Sequence, residues 1–146
     1  MEHQERILNA INELALGAKG SLWLIKDTAW ERVIHGFVRK RQSHPAMIFA
    51  NRHYESLNDT VPLMIGSSRK GCGLRLKAAM PGSHPGKPYT YFSVVRPCPT
   101  VSADAMAIKR FTGLDPEVER NHQKPYIEDD EFYKLDCYLA SKGVTL

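Results

Sequence analysis

Short apolar runs separated by polar loops occupy residues 20 to 100 of this chain. Strand composition, rich in β-branched and aromatic residues, is found in segments 21–27, 31–41, 45–53, 61–68 and 89–99. Segment 71–80 alternates with a period of two, which places Cys72, Leu74 and Leu76 on one face and Arg75 and Lys77 on the other. The pattern therefore predicts five or six consecutive strands.

Helical spacing of apolar residues appears at both ends of the chain. Residues 3–16 have the period of an amphipathic helix. Segment 102–114 is predicted to be a second helix with Ser102 as its N-cap, because a serine hydroxyl accepts from the backbone of the first turn. Residues 129–141 form a third predicted helix, whose acidic first turn suits the helix dipole.

Consecutive strands followed by helices indicate an α+β fold. A small, strongly curved antiparallel barrel would remove the exposed strand edges. The length of 146 residues fits one domain. We therefore expect a single domain over 1–146, with a helix at about 3–16, a barrel at about 20–100 and helices at about 102–141, all packed around one core.

Composition bounds the partners and the compartment. The formal net charge is +4, and the cations cluster at 39–41 and 69–70, which favours RNA or DNA as partner, although a basic surface can also be incidental. No apolar run is long enough for a membrane span, and acids within the first 16 residues argue against a signal peptide, so we expect no membrane contact. The cysteines are odd in number and widely spaced, at Cys72, Cys98 and Cys137, as is typical of cytoplasmic thiols.

The most informative polar residues stand at the ends of two neighbouring predicted strands. His44 opens one, Ser67 and Ser68 close the next beside Arg69 and Lys70, and Arg39 and Arg41 precede the first. Hydroxyls and arginines bind phosphate oxygens, and an imidazole can move a proton near neutral pH. These groups suffice to cleave RNA, because the ribose 2′-hydroxyl supplies the nucleophile.

Other chemistries fit the sequence less well. The six histidines show no metal-ligand spacing, and segment 66–73 lacks the full phosphate-loop pattern, so we expect no metal and no cofactor. A hydrolase with Ser67 as nucleophile would need a carboxylate to orient His44, and none stands out nearby in the sequence. A non-catalytic barrel that binds nucleic acid or a protein partner remains the alternative from another class.

The succession "GSLWLIKD", a basic loop, "HPAMIFAN" and "VPLMIGSSRKG" resembles the MazF/PemK-like toxins of bacterial toxin–antitoxin systems over about residues 20–100. The resemblance implies an SH3-like β-barrel, usually dimeric, that cleaves single-stranded RNA without metal and is neutralised by an antitoxin. The family pairs an arginine before a proline with a Thr or Ser at a later strand end. The second position falls on Ser67, whereas His44 stands in place of the arginine and Arg41 lies upstream.

The sequence thus predicts a cytoplasmic endoribonuclease whose partners are single-stranded RNA, a cognate antitoxin and a second copy of the chain. Its expected catalytic residues are His44, Ser67 and Arg41. Substrate-binding roles are expected for Arg39, Ser68, Arg69 and Lys70.

Overall fold

The computed structural model describes residues 2–13, 18–38, 42–51, 53–56, 58–67, 73–77, 89–103, 105, 117–121 and 124–144. In chain order its elements are α1 (Glu2–Glu13), β1 (Leu22–Lys26), α2 (Asp27–Val33), β2 (Ser43–Ile48), β3 (Thr60–Ser67), β4 (Leu74–Lys77), β5 (Tyr89–Ser93), β6 (Thr100–Ser102), β7 (Val118–Arg120), a 3-10 turn (Asp129–Glu131) and α3 (Phe132–Ser141). The predicted α+β class is confirmed.

The strands form one antiparallel sheet in the order β4-β5-β3-β2-β1-β7, and β6 pairs with β3. Both β5 and β6 pair antiparallel with β3, which places them in line along the same strand. In the described part of the chain, β4 and β7 are the two ends of this order. The sheet is therefore open there, and closure into a small barrel is not confirmed.

Side chains alternate between two buried faces of the sheet, as the period of a strand requires. The front face packs against α1 and α2 and carries Trp23, Ile25, Ala46, Ile48 and Leu63. The back face packs against α3 and carries Leu22, Met47, Met64, Leu76 and Phe92. Burial on both faces explains why β2 and β3 are nearly continuous apolar runs rather than half-polar strands.

The strand predicted over 31–41 is not found in its described part, residues 31–38, and residues 39–41 lie outside the described ranges. Its first residues belong to α2, which buries Ala29 and Trp30 against the front face. Trp30 is fully buried, so the gain from covering its indole outweighs the strand preference of the residues around it. The short strand β7 was not predicted, because three residues are too few to show a period.

The helices α1 and α3 agree with the sequence pattern in their described residues, and so does the predicted cap at Ser102. The Ser102 hydroxyl accepts a hydrogen bond from the Ala105 backbone at 3.1 Å, as expected of an N-cap, although residues 106–116 lie outside the described ranges. The capping box of Glu128 and Glu131 precedes α3. None of the helices within the described ranges combines the length and the apolar character needed to cross a membrane.

Gly66 of β3 packs tightly against Pro45 of β2 and Phe92 of β5. A methyl group there would lie 2.7 Å from the Phe92 ring and 2.8 Å from Pro45 Cγ. We expect Gly66→Ala to lower the free energy of unfolding by about 1–3 kcal/mol, because overpacking a tight core forces neighbours to move. Urea denaturation measures this. In a protein that also carries Phe92→Leu, Gly66→Ala should lower the free energy of unfolding by less, because the smaller side chain relieves the contact. An equal decrease with Phe92 and with Leu at this position would contradict the steric cause.

Candidate functional site

His44 lies near the start of β2, opposite Ile25 of β1. Its side chain is 15% exposed, and its Nδ1 atom is 2.6 Å from Oδ1 of Asp27. The Asp27 carboxylate is 1% exposed. A carboxylate removed from water in this way needs a hydrogen-bond donor, and the imidazole supplies one.

Asp27 reaches this position because β1 passes directly into α2. Its backbone N–H donates to the Gln42 carbonyl at 2.8 Å, which extends the contact between β1 and the chain leading into β2. The side chain then lies in the first turn of α2, where the helix dipole favours a negative charge. The pairing of β1 with β2 and the start of α2 at Asp27 together place the Asp27 carboxylate next to the His44 ring.

The His44 ring is held from several sides. The Phe37 ring meets it edge-on, with centroids 5.6 Å apart and planes at 83°. The Trp30 indole donates to the His44 carbonyl at 3.4 Å, which ties α2 to this end of β2. When Asp27 accepts from Nδ1–H, the Nε2 atom carries the lone pair and can take a proton.

Ser67 ends β3 on the same face of the sheet. The register of β2 and β3 pairs Ala46 with Ile65, and His44 and Ser67 each lie two residues beyond this pair, on the same face by the alternation of a strand. The close contact of Pro45 with Gly66 shows that the strands stay together there. His44 and Ser67 therefore lie at the ends of adjacent strands, on one face of the sheet.

Glu117 fastens α2 to the segment before β7. Its Oε1 accepts from Arg32 at 2.6 Å, and its Oε2 accepts from the Thr28 hydroxyl at 2.9 Å. The hydrogen bond from Arg32 first, and that from Thr28 second, hold the pKa of Glu117 below its usual value. Thr28 follows Asp27 directly, so this contact steadies the turn of helix that carries the buried carboxylate.

The structure therefore brings His44 and Ser67 to neighbouring strand ends. Arg39, Arg41, Ser68, Arg69 and Lys70 lie outside the described residues.

The expectation that no carboxylate accompanies His44 is wrong, because Asp27 contacts its ring. The only sequence signal for this was an aspartate directly after the first strand, in "LIKD". That signal becomes meaningful only once β1 is known to pair with β2.

Among the described residues, no group of three His, Cys, Asp or Glu side chains is placed to hold a metal ion. No protein-family model matches the chain, and no curated protein or solved structure matches it either. The case for a function therefore depends on the geometry around His44.

Glu117→Gln should reduce stability at neutral pH and change its acid dependence. Because folding lowers the pKa of Glu117, its contribution is present above the unfolded value of about 4.5 and is lost as pH falls through the folded value. The wild-type protein should thus have a higher urea denaturation midpoint than Glu117→Gln at about pH 7. The difference between the two midpoints should be smaller at about pH 3. A gap of the same size at both pH values would contradict this role. Thr28→Val should reproduce part of the effect.

Proposed function

We propose that this protein is a metal-independent endoribonuclease that cleaves single-stranded RNA. In this proposal His44 transfers the proton, Asp27 orients His44, and Ser67 donates a hydrogen bond to the scissile phosphate. The observation that carries the proposal is the 2.6 Å contact between the His44 ring and a carboxylate that is almost fully buried. Such a pair is a common way to prepare an imidazole for proton transfer.

The reaction needs few groups from the protein. The ribose 2′-oxygen attacks the phosphorus and its proton passes to Nε2 of His44. The bond from phosphorus to the 5′-oxygen breaks, and that oxygen takes a proton from a water molecule. The hydroxide left behind takes the proton held by the His44 imidazolium, which restores water and the neutral imidazole. The products are a 2′,3′-cyclic phosphate and a free 5′-hydroxyl, so the nucleophile is the substrate's own.

Asp27 has two effects on this step. It selects the tautomer in which Nδ1 carries the hydrogen, so that Nε2 is available as the base. It also stabilises the imidazolium that forms when the proton arrives, and this attraction is stronger because the carboxylate is excluded from water.

The resemblance to MazF/PemK-like toxins supports the same reaction and adds the finer parts of the proposal. These are an SH3-like barrel, a homodimer, a cytoplasmic location and inhibition by an antitoxin. The sequence positions of Arg41 and Arg39 before His44, and of Ser68, Arg69 and Lys70 after Ser67, make them the proposed source of phosphate contacts. His44 replaces the family arginine, and the Asp27 contact gives that replacement a chemical role.

A second candidate is favoured by the same aspartate. Ser67, His44 and Asp27 have the residue types of a hydrolase triad, in which the serine would be the nucleophile. A serine nucleophile usually stands on a sharp strand-to-helix turn, whereas Ser67 ends a sheet strand. The two candidates differ in the attacking oxygen, which is the 2′-hydroxyl of the RNA in the endoribonuclease and the Ser67 hydroxyl in the hydrolase. A substrate without a 2′-hydroxyl at the cut position distinguishes them.

His44→Ala should reduce RNA cleavage by about 10²–10⁴-fold, the usual contribution of a general acid or base. The measurement is mapping of RNA ends in the presence of a metal chelator, and His53→Ala, at an exposed histidine, is the matched control. Ser67→Ala should cost less than His44→Ala, and a 2′-deoxyribose at the cut position should block cleavage. Cleavage of that deoxy substrate would exclude the 2′-hydroxyl mechanism.

Asp27→Asn should reduce cleavage by roughly 10²–10⁴-fold, because an amide can donate to Nδ1 and thereby favours the wrong tautomer. Nitrogen NMR of the His44 ring should show the hydrogen on Nδ1 in the wild-type protein and a different distribution in the variant. Asp136→Asn, at an exposed aspartate of α3, is the matched control. An unchanged tautomer together with lost activity would mean that Asp27 acts only on folding.

A further inference from the structure

The row of side chains that contains His44 and Ser67 continues across the sheet. Ser67 of β3 pairs with Tyr91 of β5, and Tyr91 pairs with Arg75 of β4. Because side chains of directly paired residues share a face, Tyr91 and Arg75 project from the same face as Ser67. Neighbouring strands lie about 4.8 Å apart, so Tyr91 is one strand spacing from Ser67 and Arg75 is two.

The described side chains on this half of the front face are exposed or partly exposed. The alternate residues Leu74, Leu76 and Phe92 point to the back face and are buried. Arg75 is exposed and Tyr91 is half-buried. Tyr89, the next residue of β5 on the same face, is 39% exposed, which is high for a tyrosine in a strand. The helices that cover the front face pack against the other half, over β1, β2 and β3.

The cation of this surface lies over one of its two tyrosine rings. The Arg75 guanidinium carbon lies 4.7 Å from the centre of the Tyr89 ring. Within the described residues Arg75 has no carboxylate partner, whereas Lys77 on the same strand is paired with Glu128. The charge of Arg75 is therefore available to an anion, and the rings beside it offer flat apolar surfaces.

We propose that Tyr89, Tyr91 and Arg75 form a stacking platform for the unpaired bases of single-stranded nucleic acid. The proposal rests on the proposed function, since it places the bases next to the phosphate that would lie between His44 and Ser67. Aromatic rings with an arginine suit single strands, because every base has a π face and a duplex hides it. The platform thus contacts the bases of single-stranded RNA and selects it as the substrate class, while Ser67 and His44 contact its phosphate backbone.

The test measures binding of a labelled single-stranded DNA oligonucleotide by fluorescence anisotropy. The proposed reaction cannot cut this ligand, so binding is measured apart from cleavage. Tyr89→Leu and Tyr91→Leu should each weaken binding by about 5- to 150-fold, the usual effect of removing one stacked base contact. Tyr89→Phe and Tyr91→Phe should bind like the wild-type protein, because the ring remains.

The contributions of charge and of stacking differ in how they change the dependence of affinity on salt concentration. Arg75→Gln should reduce the slope of log affinity against log salt by about 0.7, the value for one phosphate contact on a single strand. Tyr89→Leu should weaken binding without changing this slope. Tyr133→Leu and Lys134→Gln, at exposed positions of α3 across the sheet, are the matched controls and should have no effect.

Several results would overturn the platform. One is wild-type affinity for the oligonucleotide in both leucine variants, and another is an equal loss of affinity in the leucine and phenylalanine variants. The others are equal affinity for a duplex of the same sequence and no binding by the wild-type protein. If Tyr91→Leu lowers the denaturation midpoint, the binding result of the Tyr89 variants alone is used, because Tyr89 is the more exposed residue.

Failure of the platform and failure of the proposed function can be told apart. RNA cleavage that persists with unaffected binding in the leucine variants removes the platform alone. Ring-dependent binding without any RNA cleavage removes the endoribonuclease and leaves a single-strand binding surface.

Discussion

The antiparallel pairing of β2 with β3 is the constraint on which the rest of the molecule depends. Its register sets Met47 against Met64 on the back face and Ala46 against Ile65 on the front face, so both cores grow from the same two strands. A shift by one residue would turn every apolar side chain to the opposite face. The same register carries His44 and Ser67 to one end of the sheet, so the core that stabilises the fold also positions the candidate site.

The buried Asp27 carboxylate is the least expected feature of this end of the sheet. Burying a charge costs free energy unless a donor accompanies it, and here the donor is an imidazole that can itself gain or lose a proton. Phe37 and Trp30 fix the residue that bears this ring, and Glu117 fastens the helix that bears the carboxylate. The positions of the aspartate and the imidazole are thus supported by contacts outside the Asp27–His44 pair itself.

The front face is buried over some strands and partly exposed over others. Over β1, β2 and β3 it is covered by helices and is apolar, whereas over β5 and β4 it carries Tyr91, Tyr89 and Arg75 in partial contact with water. His44 and Ser67 lie on the boundary between these halves. A group at such a boundary is partly shielded from water, which strengthens its electrostatic interactions.

The sequence by itself determined the elements whose signal is local. The alternation in β4, the apolar runs of β2 and β3, the period of α1 and the acidic start of α3 all follow from neighbours along the chain, and they placed His44 and Ser67 at strand ends. Tertiary structure alone decided that residues after Asp27 form a helix, that β5 lies between β3 and β4, and that Asp27 meets His44. These outcomes depend on pairing and burial between residues far apart in the chain. The free energy of covering Trp30, or of pairing one strand with another, has no signature in the residues that adjoin them.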